Sequence, residues 1–148
     1  MTMKTGKKGL QIIKHYEGFR AKAYYCPANV LTIGYGTTAG VTKNMVVTEA
    51  MAEKLLQADV KKFEDAINAA VKVKINQDQF DALVSFVYNV GAGNFRSSTL
   101  LKLLNQGRFD LVDDQFGRWN KGGGRVLAGL TKRRATEATL FKTGKVAL

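Results

Sequence analysis

The stretch Glu17-Gly-Phe-Arg-Ala-Lys-Ala-Tyr-Tyr-Cys26-Pro-Ala-Asn-Val-Leu-Thr32-Ile-Gly-Tyr-Gly36-Thr-Thr38 decides the fold. Just before it, Leu10, Ile13 and Tyr16 recur at helical spacing with Ile12 beside them, so a short helix is predicted over 7–17. Gly18 is its natural stop. Inside the stretch the pattern changes. Tyr24, Tyr25, Val30, Leu31, Thr32, Ile33 and Tyr35 are strand formers, and Pro27-Ala28-Asn29 is a turn signal between them. A small antiparallel hairpin or three-stranded sheet is expected, punctuated by Gly34, Gly36 and Gly40.

From Thr48 the sequence reads as helical. Thr48 is an N-cap with Glu49 behind it, and Leu55, Leu56, Val60, Phe63 and Ile67 form an apolar stripe to about Ala70. Asn76-Gln-Asp-Gln79 resembles a capping box, and Phe80, Leu83, Val84, Val87 and Val90 carry the next helix to Gly91. A loop is predicted over 91–95, a helix after Ser98 as far as Gly107, a short helix over about 110–119, a flexible break at Gly122-Gly123-Gly124, and a last helix over about 130–142. The whole is α+β. A small β lobe spans about 15–47, and a larger helical lobe of 48–148 includes the N-terminal helix, in one domain of 1–148. A cleft between lobes is the expected place for a ligand.

Composition narrows the chemistry. The chain has 148 residues, 45% hydrophobic and 24% charged, which places it among globular proteins and outside wholesale disorder. Its one cysteine, Cys26, cannot form an intrachain disulfide. Its one histidine, His15, leaves too few ligands for an ordinary zinc hydrolase site, so neither a metal nor another cofactor is expected. The net charge of +11 favours polyanionic partners: nucleic acid, acidic lipid or wall polymer. No helix-turn-helix, RRM or zinc-finger signature accompanies it, so no specific nucleic-acid partner is expected. Neither a secretory signal pattern nor a membrane-length apolar run is visible.

Glu17 ends its predicted helix. The negative end of the helix dipole disfavours a second negative charge there, which suits a general acid that must hold its proton. Taken alone, Glu17 reads equally as a solvated surface residue, Cys26 as a small buried hydrophobe and Thr32 as an ordinary strand residue.

Their spacing closely resembles the signature of the phage-type lysozymes, the endolysins of glycoside hydrolase family 24. That signature is Glu, eight residues, Asp or Cys, five residues, Thr, within a Glu-Gly…Ala-Tyr…Thr-Ile-Gly-Tyr-Gly frame. Tyr88-Asn-Val-Gly91 with Phe95-Arg-Ser-Ser-Thr-Leu-Leu resembles the family's middle segment. Arg118-Trp-Asn…Gly129-Leu-Thr-Lys-Arg-Arg134-Ala-Thr-Glu137 resembles its C-terminal one. The resemblance implies a lysozyme-like fold and a muramidase that cleaves the β-1,4 bond between N-acetylmuramic acid and N-acetylglucosamine in peptidoglycan during host lysis. It implies Glu17 as the acid, Thr32 as holder of the attacking water, and Cys26 where many relatives have Asp. With one carboxyl and one thiol the stereochemical course stays open. Thr37 stands where many relatives have His, so a role for that His does not transfer. The resemblance also implies Arg133 as partner of Glu17 across the cleft and, with Tyr88, Asn89 and Ser98, as a substrate-binding residue. Arg134 is expected on a solvated basic face, and Trp119 in core or interlobe packing.

Three rivals are weighed. A Cys/His peptidase would need Cys26 close to His15, against the strand-turn setting of Cys26-Pro27. A lytic transglycosylase would use the same acid on the same bond. A cationic membrane-active protein would use the basic charge, through contacts with an anionic outer membrane or wall polymers. The expected state is a monomer held in the host cytoplasm until a separate membrane pore admits it to the wall.

Overall fold

Glu17 is the last residue of helix α1 (Lys7–Glu17), and the way that helix is fixed decides where the carboxyl lies. α1 begins at Gly6 with no side-chain cap of its own. The cap comes from Asp81 on helix α3 (Gln77–Val90), whose carboxylate accepts the N–H of Gly6 at 2.8 Å and of Gly9 at 3.1 Å. Burial pushes the Asp81 carboxyl up, and these donors and Gln77 pull against that shift. Ile12 and Ile13 on the inner face of α1 are fully buried. Gly18, at φ +74°, then turns the chain out of the helix.

The computed structural model describes residues 2–148. Strands β1 (Arg20–Tyr25) and β2 (Leu31–Gly34) form an antiparallel hairpin with Tyr24 opposite Thr32 and Arg20 opposite Gly34. Between these pairs, Ala21, Lys22 and Ala23 on β1 thus face Ile33 alone on β2, so β1 bulges there. The bulged segment turns its backbone to another partner. Ala23 N–H bonds Met45 O at 3.0 Å, and Val47 N–H bonds Ala21 O at 2.8 Å. The expected sheet is therefore a hairpin with one extra bridge, Lys22 to Val46. Beyond β2 the chain folds back at once, with Ile33 and Thr37 exchanging two hydrogen bonds of 2.9 Å. Gly36, at φ +99°, makes that reversal. It also admits its neighbours, because a Cβ there would stand 3.2 Å from both Glu17 Oε1 and the Tyr88 hydroxyl.

The helical lobe follows the predicted order. Helix α2 (Glu49–Ala70) is capped by the Thr48 hydroxyl, which accepts the Met51 N–H, and α3 carries the full Asn76–Gln79 capping box. In α3 every residue from Phe80 to Val87 is buried, as expected of a helix enclosed on several sides. It packs against α1, α2 and helix α7 (Ala128–Thr143). Two expectations change. The loop over 91–95 is a short helix, α4 (Ala92–Arg96), because Phe95 inserts fully into the core and draws its turn inward. After helices α5 (Thr99–Asn105) and α6 (Phe109–Phe116), the glycine run is an ordered hairpin of β3 (Lys121–Gly122) and β4 (Arg125–Val126). Gly123 and Gly124 both have positive φ, the requirement of a two-residue hairpin turn. Trp119 is half-buried and packs edge-on against the core residue Phe86 at 5.8 Å, a packing role as expected.

Candidate active site

The end of α1, the reversal after β2, and the facing sides of α2 and α3 enclose a polar cleft of about 300 Å³. Glu17, Gly36, Thr38, Ala39, Asp59, Lys62, Phe63, Tyr88 and Asn89 line it. Larger hollows of about 640 Å³ exist. One is mostly apolar, under the N-terminal segment against Ile67, Val71 and Phe80. The other lies beside His15 and Glu53. Chemistry rather than size selects the smaller one, where a helix-end carboxyl meets a buried guanidinium and a phenol.

Glu17 is about a quarter exposed, and its Oε2 accepts Arg133 Nη1 at 2.9 Å. Arg133 is almost wholly buried. Its Nε reaches Glu137 Oε2 at 3.3 Å, its Nη2 donates to Ser85 O at 3.1 Å, and its plane lies 5.7 Å from the Tyr16 ring. One oxygen of Glu17 is thus tied down and the other faces Gly36 and Tyr88. The guanidinium supplies a positive counter-charge beside the negative end of the helix. Tyr88 donates to Tyr35 O at 3.0 Å, and its ring meets Phe63 edge-on at 5.4 Å. Burial first, then the charges of Glu17 and Asp59, push the Tyr88 phenol well above its usual range, so it stays a donor. Thr37 is buried and donates to Asp59 Oδ2 at 2.6 Å, fixing the second acid of the cleft.

Cys26 and Thr32 lie along the hairpin that begins three residues after Glu17, and neither borders that hollow. They meet each other. Thr32 is buried, and its hydroxyl donates to Val30 O at 2.9 Å. Hydrogen bonding by the Val30 backbone lowers the Cys26 thiol below its ordinary value. Partial burial opposes this, and the Thr32 hydroxyl and the Ala28 backbone assist. A lowered thiol populates thiolate at lower pH than a free cysteine, and thiolate is the form that alkylates. Cys26 is the one cysteine of the chain, so its reaction is read cleanly. The pH profile of iodoacetamide modification is expected to have its midpoint below that of a free cysteine, and Thr32→Val should move it up. A midpoint at or above that of the free amino acid would remove the thiolate from the site.

The other predicted residues divide. Tyr88 and Asn89 line the cleft beside Glu17. Arg133 reaches it only through Glu17, so as a residue that touches substrate it is corrected to one that holds the acid. Ser98 is also corrected. Its hydroxyl accepts the Leu101 N–H at 3.1 Å and donates to Phe95 O at 2.7 Å, a helix cap away from the cleft. Arg134 is not on a solvated face. It is fully buried, with Nε 2.9 Å from Glu137 Oε1 and Nη2 donating to Asn89 Oδ1 at 2.7 Å. Asp59, Lys62 and Phe63 were missed. The available signal was an acid four residues before Phe63, on the same side of α2 as that stripe residue.

The chain is 48% identical over 145 residues to an endolysin of Bacillus phage PZA, covering 96% of this chain but only 56% of that longer protein. Its fold superposes with a TM-score of 0.92 on an endolysin from Escherichia coli O157:H7 phage FAHEc1, at 36% identity over 100% of this chain and 99% of the other. It also resembles the muramidase domain of SpmX from Asticaccaulis excentricus, with a TM-score of 0.89 and 37% identity over 95% and 98% of the two chains. With residues 14–137 matching the phage lysozyme family as well, the chain belongs to that family.

Proposed function

We propose that this chain is a muramidase that hydrolyses the β-1,4 bond between N-acetylmuramic acid and N-acetylglucosamine in bacterial peptidoglycan, acting as a single catalytic domain in host lysis. One observation carries the reading: a cleft carboxyl at a helix end, with one oxygen fixed by a buried arginine and the other open beside a phenol. In this reading Glu17 gives its proton to the leaving glycosidic oxygen. Thr32 holds the attacking water, and the Cys26 thiol takes the place of a second carboxylate beside it. Tyr88 and Asn89 bind the sugar. The names endolysin and muramidase carried by similar proteins support the same substrate class.

Product analysis on purified peptidoglycan tests it. New reducing ends are the expected result. Anhydro sugar ends would replace hydrolysis by transglycosylation, and new free amines would move the cut to the peptide. The route that goes with this reading runs from the host cytoplasm to the wall through a pore made by another protein.

The +11 charge adds a second expectation. Wall polymers and outer-membrane surfaces carry carboxylates and phosphates, and steering toward them is screened over about 8 Å at physiological salt. Lys142 and Lys145 are exposed near the end of α7 and outside the cleft. Activity on intact wall should fall as salt rises, while turnover of short soluble oligosaccharides should change little. The Lys142→Gln/Lys145→Gln variant should flatten the first dependence and leave the second alone. Equal salt responses on both substrates would assign the tail to the fold.

A further inference from the structure

We infer that Arg134, which never touches the cleft, is a positioning residue that locks the Asn89 amide in one orientation. Its Nδ2 group is thereby presented to an acetamido carbonyl of the bound amino sugar. The inference rests on the muramidase reading and adds to it a cause for the recognition of N-acetyl groups.

The argument starts from what each group can do. An arginine donates hydrogen bonds and never accepts them. The Asn89 atom that meets Arg134 Nη2 at 2.7 Å must therefore be the amide oxygen, and the amide cannot flip without setting donor against donor. Arg134 in turn has no freedom to release it. The guanidinium is fully buried, lies 2.9 Å from Glu137 Oε1, and stacks 5.1 Å over the Phe86 ring. Glu137 is itself fully buried, accepts the Ser85 hydroxyl at 2.6 Å, and also engages Arg133. Helical spacing explains the arrangement. Arg133 and Arg134 stand four and three residues before Glu137 and flank it, so one carboxylate anchors both. One arginine reaches Glu17 and the other reaches Asn89.

The consequence falls on the exposed side of Asn89. Its oxygen is committed inward, its side chain borders the cleft next to Glu17 and Tyr88, and both Nδ2 hydrogens remain to be donated there. An amide N–H donor selects an oxygen acceptor. Each sugar of the wall glycan repeats one strong neutral acceptor, the acetamido carbonyl. A locked amide donates to it without first losing rotamer freedom, which is where affinity is gained.

The test measures binding of a soluble, un-crosslinked wall glycan strand to proteins that all carry Glu17→Gln, so that the strand stays intact. Thermal melts of each variant and reducing-end release by the wild type run beside it. Asn89→Asp keeps an acceptor for Arg134 but has no N–H to offer. It should melt no lower than its parent and bind roughly three- to tenfold more weakly, the scale of one hydrogen bond. The weakening should persist at high salt, where repulsion from the added charge is screened. Arg134→Lys has one ammonium in place of a planar fork and cannot serve Glu137 and Asn89 together. It should weaken binding by a similar factor, and the double variant should bind no worse than the weaker single one. Undiminished binding by Asn89→Asp, or loss only at low salt, would overturn the inference while reducing-end release keeps the muramidase reading. So would additive effects of the two substitutions. Weakened, non-additive binding without release of reducing ends by the wild type would keep the inference and overturn the reaction.

Discussion

Glu17→Gln is expected to reduce peptidoglycan turnover to background while leaving the fold in place. The reason lies in the two faces of the carboxyl. On the inner face, Arg133 Nη1 needs only an oxygen acceptor, and the glutamine amide oxygen supplies one at the same length of side chain. On the cleft face, the reaction needs a group that gives up a proton in the transition state, and an amide has none at accessible pH. Loss of a general acid costs on the order of 10²–10⁴-fold in rate. A folded Glu17→Gln protein, checked by its melting curve, should therefore release reducing ends at least a hundredfold more slowly, whatever the substrate length. Near-normal turnover by that protein would remove Glu17 from the chemistry and, with it, the reading of the cleft. The result does not depend on which nucleophile completes the reaction, because hydrolysis and transglycosylation both need the leaving oxygen protonated.

The legible part of the site was local in sequence. The end of α1, the turn at Pro27 to Asn29, and the strands on either side follow from apolar spacing and turn chemistry within 20 residues. The illegible part was what tertiary packing made of residues with ordinary local meanings. Arg134 looked like half of a basic pair. Nothing near it in sequence shows that Glu137, one turn on, is buried with it, or that Asn89 waits across on α3. Ser98 failed for the opposite reason. Its local capping chemistry was read correctly, and that chemistry consumes the hydroxyl that a cleft role would need. Asp59 stayed hidden because its partner, Thr37, lies on the reversal after β2, a contact made only when the sheet docks on α2. Glycines misled twice, at 91–93 and 122–124, where the backbone freedom they signal serves a helix entry and a tight hairpin.

The largest effect on stability is expected at Glu137. Glu137→Gln leaves two buried guanidiniums without their shared counter-charge, and only Arg133 has another carboxylate, on Glu17. Removing one partner of a buried ion pair costs about 3–5 kcal/mol. At about 2–4 °C per kcal/mol for a chain near this size, the melting temperature should fall by roughly 10 °C. Burial pushes the Glu137 carboxyl up against the pull of both arginines, so the site is itself costly to charge and is no simple source of stability. That cost gives the sharper comparison. Glu137→Leu combined with Arg134→Met removes the fully buried Arg134–Glu137 pair and leaves Arg133 on Glu17. Replacing a buried pair by apolar groups of similar volume is often neutral or stabilising, so this double variant should recover most of what Glu137→Gln loses. It should nonetheless bind wall glycan more weakly than the wild type, because Asn89 then has no guanidinium to hold its amide oxygen. A Glu137→Gln protein melting within 2 °C of the wild type, on the order of 1 kcal/mol or less, would mean that the arginines do not depend on Glu137. A double variant that regains both stability and full glycan affinity would mean that the charged cluster serves the fold alone.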